Sequence, residues 1–150
     1  HFGFGCKIVY ANRSPKAVDF PARQMDMPAA LAAADIVVLA TPGGAATHHL
    51  MGAPEFAAMQ PHAIFVNISR GDVVDETALV AALQAGKIAG AGLDVYEFEP
   101  KVPQAFIDME NVTLLPHLGT AALDVREDMG RMALDNCIAL AQGRALPNPV

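Results

Sequence analysis

The sequence has few of the features that mark membrane-spanning or disulfide-rich proteins. No apolar run reaches the roughly 18 residues that a membrane helix needs. The only two cysteines, Cys6 and Cys137, are far apart and match no metal-binding spacing. We therefore expect a protein of a reducing compartment, the cytoplasm, with no membrane partner. No signal peptide is recognisable, but the sequence starts at His1, so any targeting segment would lie upstream of it.

Positive charge is also scarce. Ten Lys and Arg residues stand against sixteen Asp and Glu residues, which gives a formal net charge of -6. Because broad nucleic-acid binding requires a basic surface, we expect no nucleic-acid partner, although a local basic pocket remains compatible with this charge. Hydrophobic residues make up 53% of the chain and charged residues 17%, which excludes a disordered chain. The 150 residues are enough for one domain with a sizeable core.

Short apolar runs alternate with helix-like segments along the chain. The runs predict five strands, at residues 7–10, 36–40, 63–66, 89–93 and 112–115. Helices are predicted at residues 28–34, 54–59, 75–86 and 121–142. Strands that alternate with helices indicate parallel βαβ units, and therefore a layered α/β domain.

Three local features refine this prediction. The continuous apolar run at 36–40 is typical of a strand buried on both faces. Gly90 and Gly92 suggest that another backbone approaches their strand closely. Residues 98–111 fit neither a strand nor a helix, and loops of that length are often functional.

Polar residues, together with glycines and prolines, follow every predicted strand. In open α/β sheets, the carboxyl ends of the strands form the edge at which ligands bind. Loops are polar in any protein, but five successive loops that carry a cation, several acids and an imidazole favour a binding crevice. The residues are Asn12, Arg13 and Ser14; Thr41, Pro42, Gly43 and Gly44; Asn67, Ser69, Arg70 and Gly71; Asp94, Glu97 and Glu99; Pro116, His117, Gly119 and Thr120.

Three linked motifs in these loops resemble the NAD(P)-dependent D-2-hydroxyacid dehydrogenases. They are VNISRG at 66–71, AGLDVYEFEP at 91–100 and LPHLGT at 115–120. That family includes glyoxylate/hydroxypyruvate reductases, D-phosphoglycerate dehydrogenases and formate dehydrogenases. The resemblance extends over nearly the whole chain and implies a Rossmann-type, doubly wound parallel sheet in a protein that commonly forms homodimers.

The resemblance also assigns a catalytic set. Arg70 matches the arginine that binds the substrate carboxylate and carbonyl, for which a planar guanidinium is well suited. His117 matches the acid/base, and an imidazole that titrates near neutrality can serve both reaction directions. Glu99 matches the acid that stabilises the imidazolium, although Glu97 lies two residues away as a rival. Asp94 resembles the aspartate near the nicotinamide carboxamide.

The glycine-rich turn that usually holds the pyrophosphate is not found in this sequence. Gly3 and Gly5 precede a predicted strand, and Ile8 stands where a third glycine would be required. We therefore expect the chain to begin after the first βα unit of its fold. Residues 1–146 would be an N-terminally incomplete dinucleotide-binding domain, and residues 147–150 the return to a missing substrate domain.

The loop after the first strand bears on the choice of cofactor. In the family, an acid at this position accepts hydrogen bonds from the adenosine ribose, which suits NAD. Asn12 removes that negative charge, and Arg13 and Ser14 offer groups that bind a 2′-phosphate. We therefore predict a preference for NADP, with NAD as the alternative. An ordinary turn, with Pro15 as a turn former, is the competing interpretation.

A metal site at the adjacent residues His48 and His49 is not expected, because adjacent histidines on a helix point apart.

Further cofactor contacts follow from the resemblance alone. The predicted additional cofactor contacts are Thr41, Pro42, Thr47, Ile68, Ser69, Gly119 and Thr120.

The sequence therefore predicts an enzyme that transfers a hydride between NAD(P)H and a small 2-keto or 2-hydroxy acid, with glyoxylate or hydroxypyruvate favoured by family analogy. Other dehydrogenases of the family, acting on phosphoglycerate or phosphite, are alternatives. So is a non-catalytic, dinucleotide-sensing corepressor on the same fold. The 150 residues by themselves are expected to lack half of the cleft. One interpretation is therefore that this fragment alone is inactive.

Overall fold

The computed structural model describes residues 1–149. The chain divides into two compact units, His1–Pro116 and His117–Val150. Within the described residues, the first unit contains six strands and four α-helices, and the second contains one α-helix.

Most elements lie within one or two residues of the positions that the sequence predicts. The strands are β1 (Ile8–Tyr10), β2 (Ala22–Gln24), β3 (Ile36–Leu39), β4 (Ile64–Asn67), β5 (Gly90–Leu93) and β6 (Val112–Leu114). The α-helices are α1 (Met27–Ala33), α2 (Ala53–Ala58), α3 (Glu76–Gln84), α4 (Gln104–Ile107) and α5 (Leu123–Ala141).

The six strands form two parallel sheets. β1 pairs with β2, and the other four strands pair in the order β3-β4-β5-β6. In the larger sheet, Leu39 is level with Asn67, Asn67 with Leu93, and Leu93 with Leu114. The carboxyl ends of the four strands therefore lie along one edge, and the loops that follow them start side by side. Parallel strands joined through helices confirm the predicted α/β fold class.

The prediction that residues 36–40 are buried on both faces was wrong. Leu39 is buried, but Ile36 is 62% exposed and Val38 54% exposed. Side chains alternate between the two faces of a strand, so these two share one face. In the described part of the chain, that face of β3 is not covered.

The core lies in the first unit, between the larger sheet and the helices that follow its strands. Phe56 of α2 meets Phe65 of β4 edge to face, with ring centroids 5.2 Å apart and planes at 89°. Both rings are essentially inaccessible to solvent, as is Leu79 of α3. Burying side chains of this size contributes about 1.5–3 kcal/mol each to the free energy of unfolding.

Local signals set the ends of two helices. The Asp26 carboxylate accepts a hydrogen bond from the Ala29 amide at 2.8 Å at the start of α1. Asp75 accepts one from the Ala78 amide at 3.0 Å at the start of α3, as predicted. Gly86, just beyond α3, has a φ of 62°, a left-handed conformation in which glycine carries no steric penalty.

One strand and one α-helix were missed, and one glycine was misread. β2 has the sequence ARQ, which carries no apolar alternation, and it exists because its backbone pairs with β1. The short helix α4 lies inside the stretch 98–111, which showed no helical periodicity. Gly90 confirms the expected close approach, since a Cβ there would lie 2.6 Å from the Asn111 carbonyl oxygen, whereas one on Gly92 would make only ordinary contact.

In the second unit, α5 confirms the predicted final helix. Gly143 ends it with a φ of 64°, and the Arg144 amide donates to the Ala139 carbonyl at 2.9 Å. The tail turns back, because the Asn148 amide donates to Oδ1 of Asn136 at 3.1 Å. Of the predicted return to a missing domain at 147–150, Val150 lies outside the described residues. The predicted domain boundary therefore stays a prediction.

Among residues 1–149, no helix combines the length and apolar character that spanning a bilayer requires.

Candidate active site

The loop after β4 is organised by the amide of Asn67, the last residue of that strand. Its Oδ1 accepts hydrogen bonds from the Ser69 amide at 3.0 Å and the Ser69 hydroxyl at 2.9 Å. Its Nδ2 donates to the Arg70 carbonyl at 3.1 Å. Asn67 and Ser69 are buried, so these bonds fix the backbone from which the Arg70 side chain departs.

Arg70 lies on the wall of a pocket at the carboxyl ends of β3 and β4. The pocket encloses about 760 Å³ and is lined by residues 40–44, residues 68–70 and Asp72. Arg70 is braced there, because its Nη1 donates to the Ser69 carbonyl at 2.7 Å. The opposing backbone is so near that a Cβ on Gly43 would lie 2.9 Å from Cγ of Arg70.

This pocket gathers five of the predicted site residues, Thr41, Pro42, Ile68, Ser69 and Arg70. Thr47 shapes the same loop, since its hydroxyl lies 2.7 Å from the Pro42 carbonyl oxygen and 3.2 Å from that of Gly44. The Thr47 hydroxyl therefore donates within the loop. Its contact with a cofactor stays a prediction.

The loop after β5 carries the predicted acids. It leaves the sheet next to the Asn67 loop, because the Asp94 amide donates to the Asn67 carbonyl at 3.1 Å. Oε1 of Glu99 accepts a hydrogen bond from the Tyr96 amide at 3.1 Å. Glu97, the rival to Glu99, has a different partner.

Oε1 of Glu97 lies 2.9 Å from Nε2 of His49, and the two form an ion pair when the imidazole is protonated. The amide of Glu97 donates to Oε1 of Glu76, the first residue of α3, at 3.0 Å. Glu97 is therefore held through both its side chain and its backbone. The two neighbouring glutamates, Glu97 and Glu99, have separate hydrogen-bond partners.

Burial changes two pKa values beside this loop. Burial of the Glu76 carboxyl raises its pKa above 4.5; the hydrogen bond from the Glu97 amide opposes this rise, and the negative charge of Glu97 adds to it. Burial also raises the pKa of the Tyr96 hydroxyl, with the charge of Asp94 acting in the same direction. That hydroxyl stays protonated and donates to the Leu115 carbonyl at 2.8 Å.

The loop after β1 carries the predicted cofactor-selecting residues. Asn12, Arg13 and Ser14 are exposed, and Nδ2 of Asn12 donates to the Ser14 carbonyl at 3.0 Å, which closes a turn. The Asn12 carbonyl accepts a hydrogen bond from the Gln24 side chain at 2.8 Å. These three residues are not part of the pocket lining around Arg70.

His117 is the first residue of the second unit and has a φ of 56°. A residue other than glycine rarely occupies this left-handed region, and such residues concentrate at functional sites. Gly119 and Thr120, predicted to contact the cofactor, follow in the same exposed turn.

Sequence reasoning did not identify which residues hold these loops together. It placed Asn67 among the polar residues that follow the strands, but gave it no structural role. Glu76 gave no signal, because an acid in the first turn of a helix is ordinary. His49 was considered only as a metal ligand. Within residues 1–149, no group of three or more His, Cys, Asp or Glu side chains is arranged to hold a metal ion.

Residues 2–119 match the family model for the D-isomer specific 2-hydroxyacid dehydrogenase, NAD binding domain. Glyoxylate/hydroxypyruvate reductase B of Citrobacter koseri is 48% identical over 154 residues, which cover 100% of this chain and 48% of that protein. The chain thus spans about half the length of the curated relatives that it matches.

The solved structures that are similar to the chain include two enzymes. One is an NADPH-dependent glyoxylate/hydroxypyruvate reductase from Sinorhizobium meliloti in complex with NADP and malonate; it has a TM-score of 0.93 at 38% identity, covering 99% of this chain and 47% of that one. The other is the holo form of D-mandelate dehydrogenase from Rhodotorula graminis, with a TM-score of 0.93 at 36% identity, covering 99% and 45%. The comparisons confirm the predicted resemblance and the Rossmann-type fold class.

Proposed function

Because the chain belongs to the D-isomer specific 2-hydroxyacid dehydrogenase family, as its NAD-binding domain, we propose that it is the cofactor-binding part of an oxidoreductase. The reaction would transfer a hydride between a nicotinamide dinucleotide and a small 2-keto or 2-hydroxy acid. Glyoxylate or hydroxypyruvate is the proposed substrate, a choice supported by the names of the relatives from Citrobacter and Sinorhizobium. The observation that carries the proposal is the place of Arg70 on the pocket wall, where its guanidinium donates to the Ser69 carbonyl.

Arg70 would bind the carboxylate of the keto acid and polarise its carbonyl. Its guanidinium presents several N–H donors in one plane, a geometry that matches two carboxylate oxygens. As the hydride arrives, negative charge develops on the carbonyl oxygen, and a fixed cation stabilises that charge most. The brace from the Ser69 carbonyl supports this role, because a pre-positioned cation needs no reorganisation during the reaction.

His117 would donate the proton to the new alkoxide during reduction and accept it during oxidation. Glu99 would favour the protonated imidazole and fix its orientation. The left-handed backbone of His117 supports a functional role for this residue, because such a conformation requires compensation from its surroundings. The hydrogen bond from the Tyr96 amide to Glu99 supports a carboxylate held in one orientation.

The residues of the pocket fit a nicotinamide dinucleotide. The volume lies in the range of about 300–1,000 Å³ that small-molecule sites occupy, and the lining combines apolar Pro42 and Ile68 with polar Thr41 and Ser69. When bound, the dinucleotide supplies the hydride. The residues proposed to contact the dinucleotide are Thr41, Pro42, Thr47, Ile68, Ser69, Asp94, Gly119 and Thr120.

We propose that NADP is preferred over NAD. The support is the exposed turn at Asn12, Arg13 and Ser14, which carries a cation and no acid. A clear test is the ratio of kcat/KM for NADPH to that for NADH, measured for the natural protein and for Arg13→Ala. The ratio should exceed one and fall by about 10–100-fold in the variant, since one charge-assisted contact is worth about 1.5–3 kcal/mol. A natural protein that prefers NADH would overturn this choice.

Residues 1–146 are proposed to be a dinucleotide-binding domain without its first βα unit. The support is the strand order. Doubly wound dinucleotide folds follow the order 3-2-1-4-5-6. The observed β2-β1 and β3-β4-β5 match strands 3-2 and 4-5-6 of that order when strand 1 is left out between β1 and β3, and β6 adds one further strand beside β5. Cofactor affinity tests whether the first βα unit is absent from residues 1–150. The complete natural polypeptide should bind NADPH at least tenfold more tightly than residues 1–150 alone, because the phosphate-binding turn follows strand 1. Equal affinities would contradict the proposal.

The activity is tested with the complete natural polypeptide that contains this chain. It should oxidise NADPH in the presence of glyoxylate or hydroxypyruvate, followed by the absorbance of the reduced nicotinamide. Arg70→Lys should lower kcat/KM by about 10²-fold, because an ammonium does not replace the planar fork. Arg23→Lys, on exposed β2, is the matched control and should leave it unchanged.

His117→Ala should lower kcat by about 10²–10⁴-fold while the affinity for the dinucleotide stays within twofold. Binding of the dinucleotide without turnover of any 2-keto acid would refute the enzyme and favour the sensing corepressor. A homodimer and a cytoplasmic location are proposed from family analogy alone, and sedimentation of the complete polypeptide tests the first.

A further inference from the structure

Glu76 is a buried acid that the proposed chemistry does not use. It is the first residue of α3, where a carboxylate would ordinarily help to cap the helix. Asp75 already fills that role. Glu76 is instead 8% exposed, and its carboxylate accepts a hydrogen bond from the amide of Glu97, which lies 21 residues further along the chain. Because burying a carboxylate costs free energy unless it is hydrogen-bonded, this contact calls for an explanation beyond helix capping.

The same loop is held from a second side. We call residues 94–99 the acidic loop and residues 70–75 the Arg70 turn. His49 contacts the acidic loop, because its Nε2 lies 2.9 Å from Oε1 of Glu97. It also joins the Arg70 turn, because its own amide donates to the Asp72 carbonyl at 2.9 Å. His49 has a φ of 51°, so its backbone adopts an uncommon conformation while it makes both contacts.

Between these two attachments, the backbones of the acidic loop and the Arg70 turn touch. A Cβ on Gly71 would lie 1.9 Å from the carbonyl carbon of Tyr96 and 2.3 Å from the nitrogen of Glu97. The two backbones leave no space between them at this contact, so a shift of one segment displaces the other. Arg70 immediately precedes the contact on one segment. Glu99, which accepts from the Tyr96 amide, closely follows it on the other.

We propose that Glu76 is a positioning residue, which holds the acidic loop against the Arg70 turn and thereby sets where Arg70 and Glu99 stand relative to each other. This inference rests on the proposed function, in which those two residues serve the same reaction. Glu76 touches neither the substrate nor the cofactor in this scheme. It acts through the Glu97 amide, and the raised pKa of its buried carboxyl does not disturb this, since a neutral carboxyl oxygen also accepts.

The test compares three variants of the complete natural polypeptide. Glu76→Ala removes the acceptor, and Glu76→Gln keeps an acceptor oxygen of the same reach. Glu55→Ala is the matched control, because Oε2 of Glu55 accepts the Gly52 amide at 3.0 Å at the start of α2. Both alanine variants remove a carboxylate that lies in the first turn of a helix and accepts one backbone amide. Only the amide that Glu76 accepts belongs to the acidic loop. The readouts are KM and kcat for the keto acid, and amide hydrogen exchange.

Glu76→Ala should lower kcat/KM by about 10–100-fold, mainly through KM, because displacement of a binding group by an ångström costs a factor of this size. Glu76→Gln should stay within about threefold of the natural protein, since its oxygen preserves the hydrogen bond. Glu55→Ala should lower the melting temperature and leave KM unchanged. The amide of Glu97 should exchange at least tenfold faster in Glu76→Ala only.

Two results would overturn the inference. One is an unchanged KM and unchanged exchange at Glu97 in Glu76→Ala. The other is a Glu76→Gln variant as impaired as Glu76→Ala, because the acceptor oxygen would then not be the cause. A natural protein that turns over no keto acid would instead refute the proposed function. The exchange of the Glu97 amide would still decide whether Glu76 holds the acidic loop.

Discussion

Gly71 and Tyr96 are in backbone contact, so close that a single methyl group on Gly71 would lie 2.0 Å from the Tyr96 carbonyl oxygen. Gly71 has no left-handed φ, so its requirement for glycine is steric and comes from the segment opposite. The motif position after Arg70 is thereby explained by packing between two loops.

Gly71→Ala is expected to lower the free energy of unfolding by about 2–3 kcal/mol, because it forces apart two backbones that are already in contact. It should also lower kcat/KM, since Arg70 is the adjacent residue. Gly130→Ala, on α5 with nothing within 4 Å of its Cβ position, is the control and should stabilise the protein by about 0.5–1 kcal/mol. Urea unfolding measures both, and equal effects of the two variants would contradict the steric account.

Asn67→Ala is expected to lower the free energy of unfolding by about 2–4 kcal/mol, because it removes three hydrogen bonds, two of them to the buried Ser69. Ser69→Ala removes only one of these bonds and should cost about 1 kcal/mol. Urea unfolding of the two variants measures the difference. A loss no greater for Asn67→Ala than for Ser69→Ala would show that the Asn67 amide does not organise the loop.

Glu76→Gln is expected to change how stability depends on pH. The folded-state pKa of Glu76 is raised above its unfolded value of 4.5, so folding favours the protonated form. The resulting stability is fully present below pH 4.5 and is lost as the pH rises through the folded-state pKa. Glutamine does not ionise and escapes that loss.

The variant should therefore gain stability relative to the natural protein as the pH rises above 4.5, as measured by urea unfolding at several pH values. A difference that does not change with pH would show that Glu76 titrates with the same pKa in both states. Glu55→Gln, at the start of α2, provides the comparison.

Tyr96→Phe is expected to cost about 1–2 kcal/mol of unfolding free energy, because the Leu115 carbonyl loses a donor that lies 2.8 Å away. Tyr10→Phe removes a hydroxyl that accepts the Lys16 amide at 3.1 Å in an exposed loop. That control should cost less than about 0.5 kcal/mol, since water replaces the lost partner. Equal losses of unfolding free energy in the two variants, measured by guanidinium unfolding, would contradict the role given to the burial of Tyr96.

Much of this protein is determined by sequence patterns that act locally. The apolar runs at β3, β4, β5 and β6 predict strands, because a short run of adjacent apolar residues is a local signal for a strand. Asp75 predicts the start of α3, because an N-cap bonds to an amide only three residues away. The place of Arg70 beyond β4 follows for the same reason, since the end of a parallel strand fixes which edge of the sheet a following residue reaches.

The tertiary structure alone decided which distant segments meet. The contacts of Glu76 with Glu97, of His49 with Glu97 and of Gly71 with Tyr96 each join residues more than 20 positions apart. β2 forms only because β1 offers it a pairing edge. The exposure of Ile36 depends on what else covers its sheet, not on its own neighbours. Such features depend on the packing of the whole unit, and no period or spacing in a single sequence specifies them.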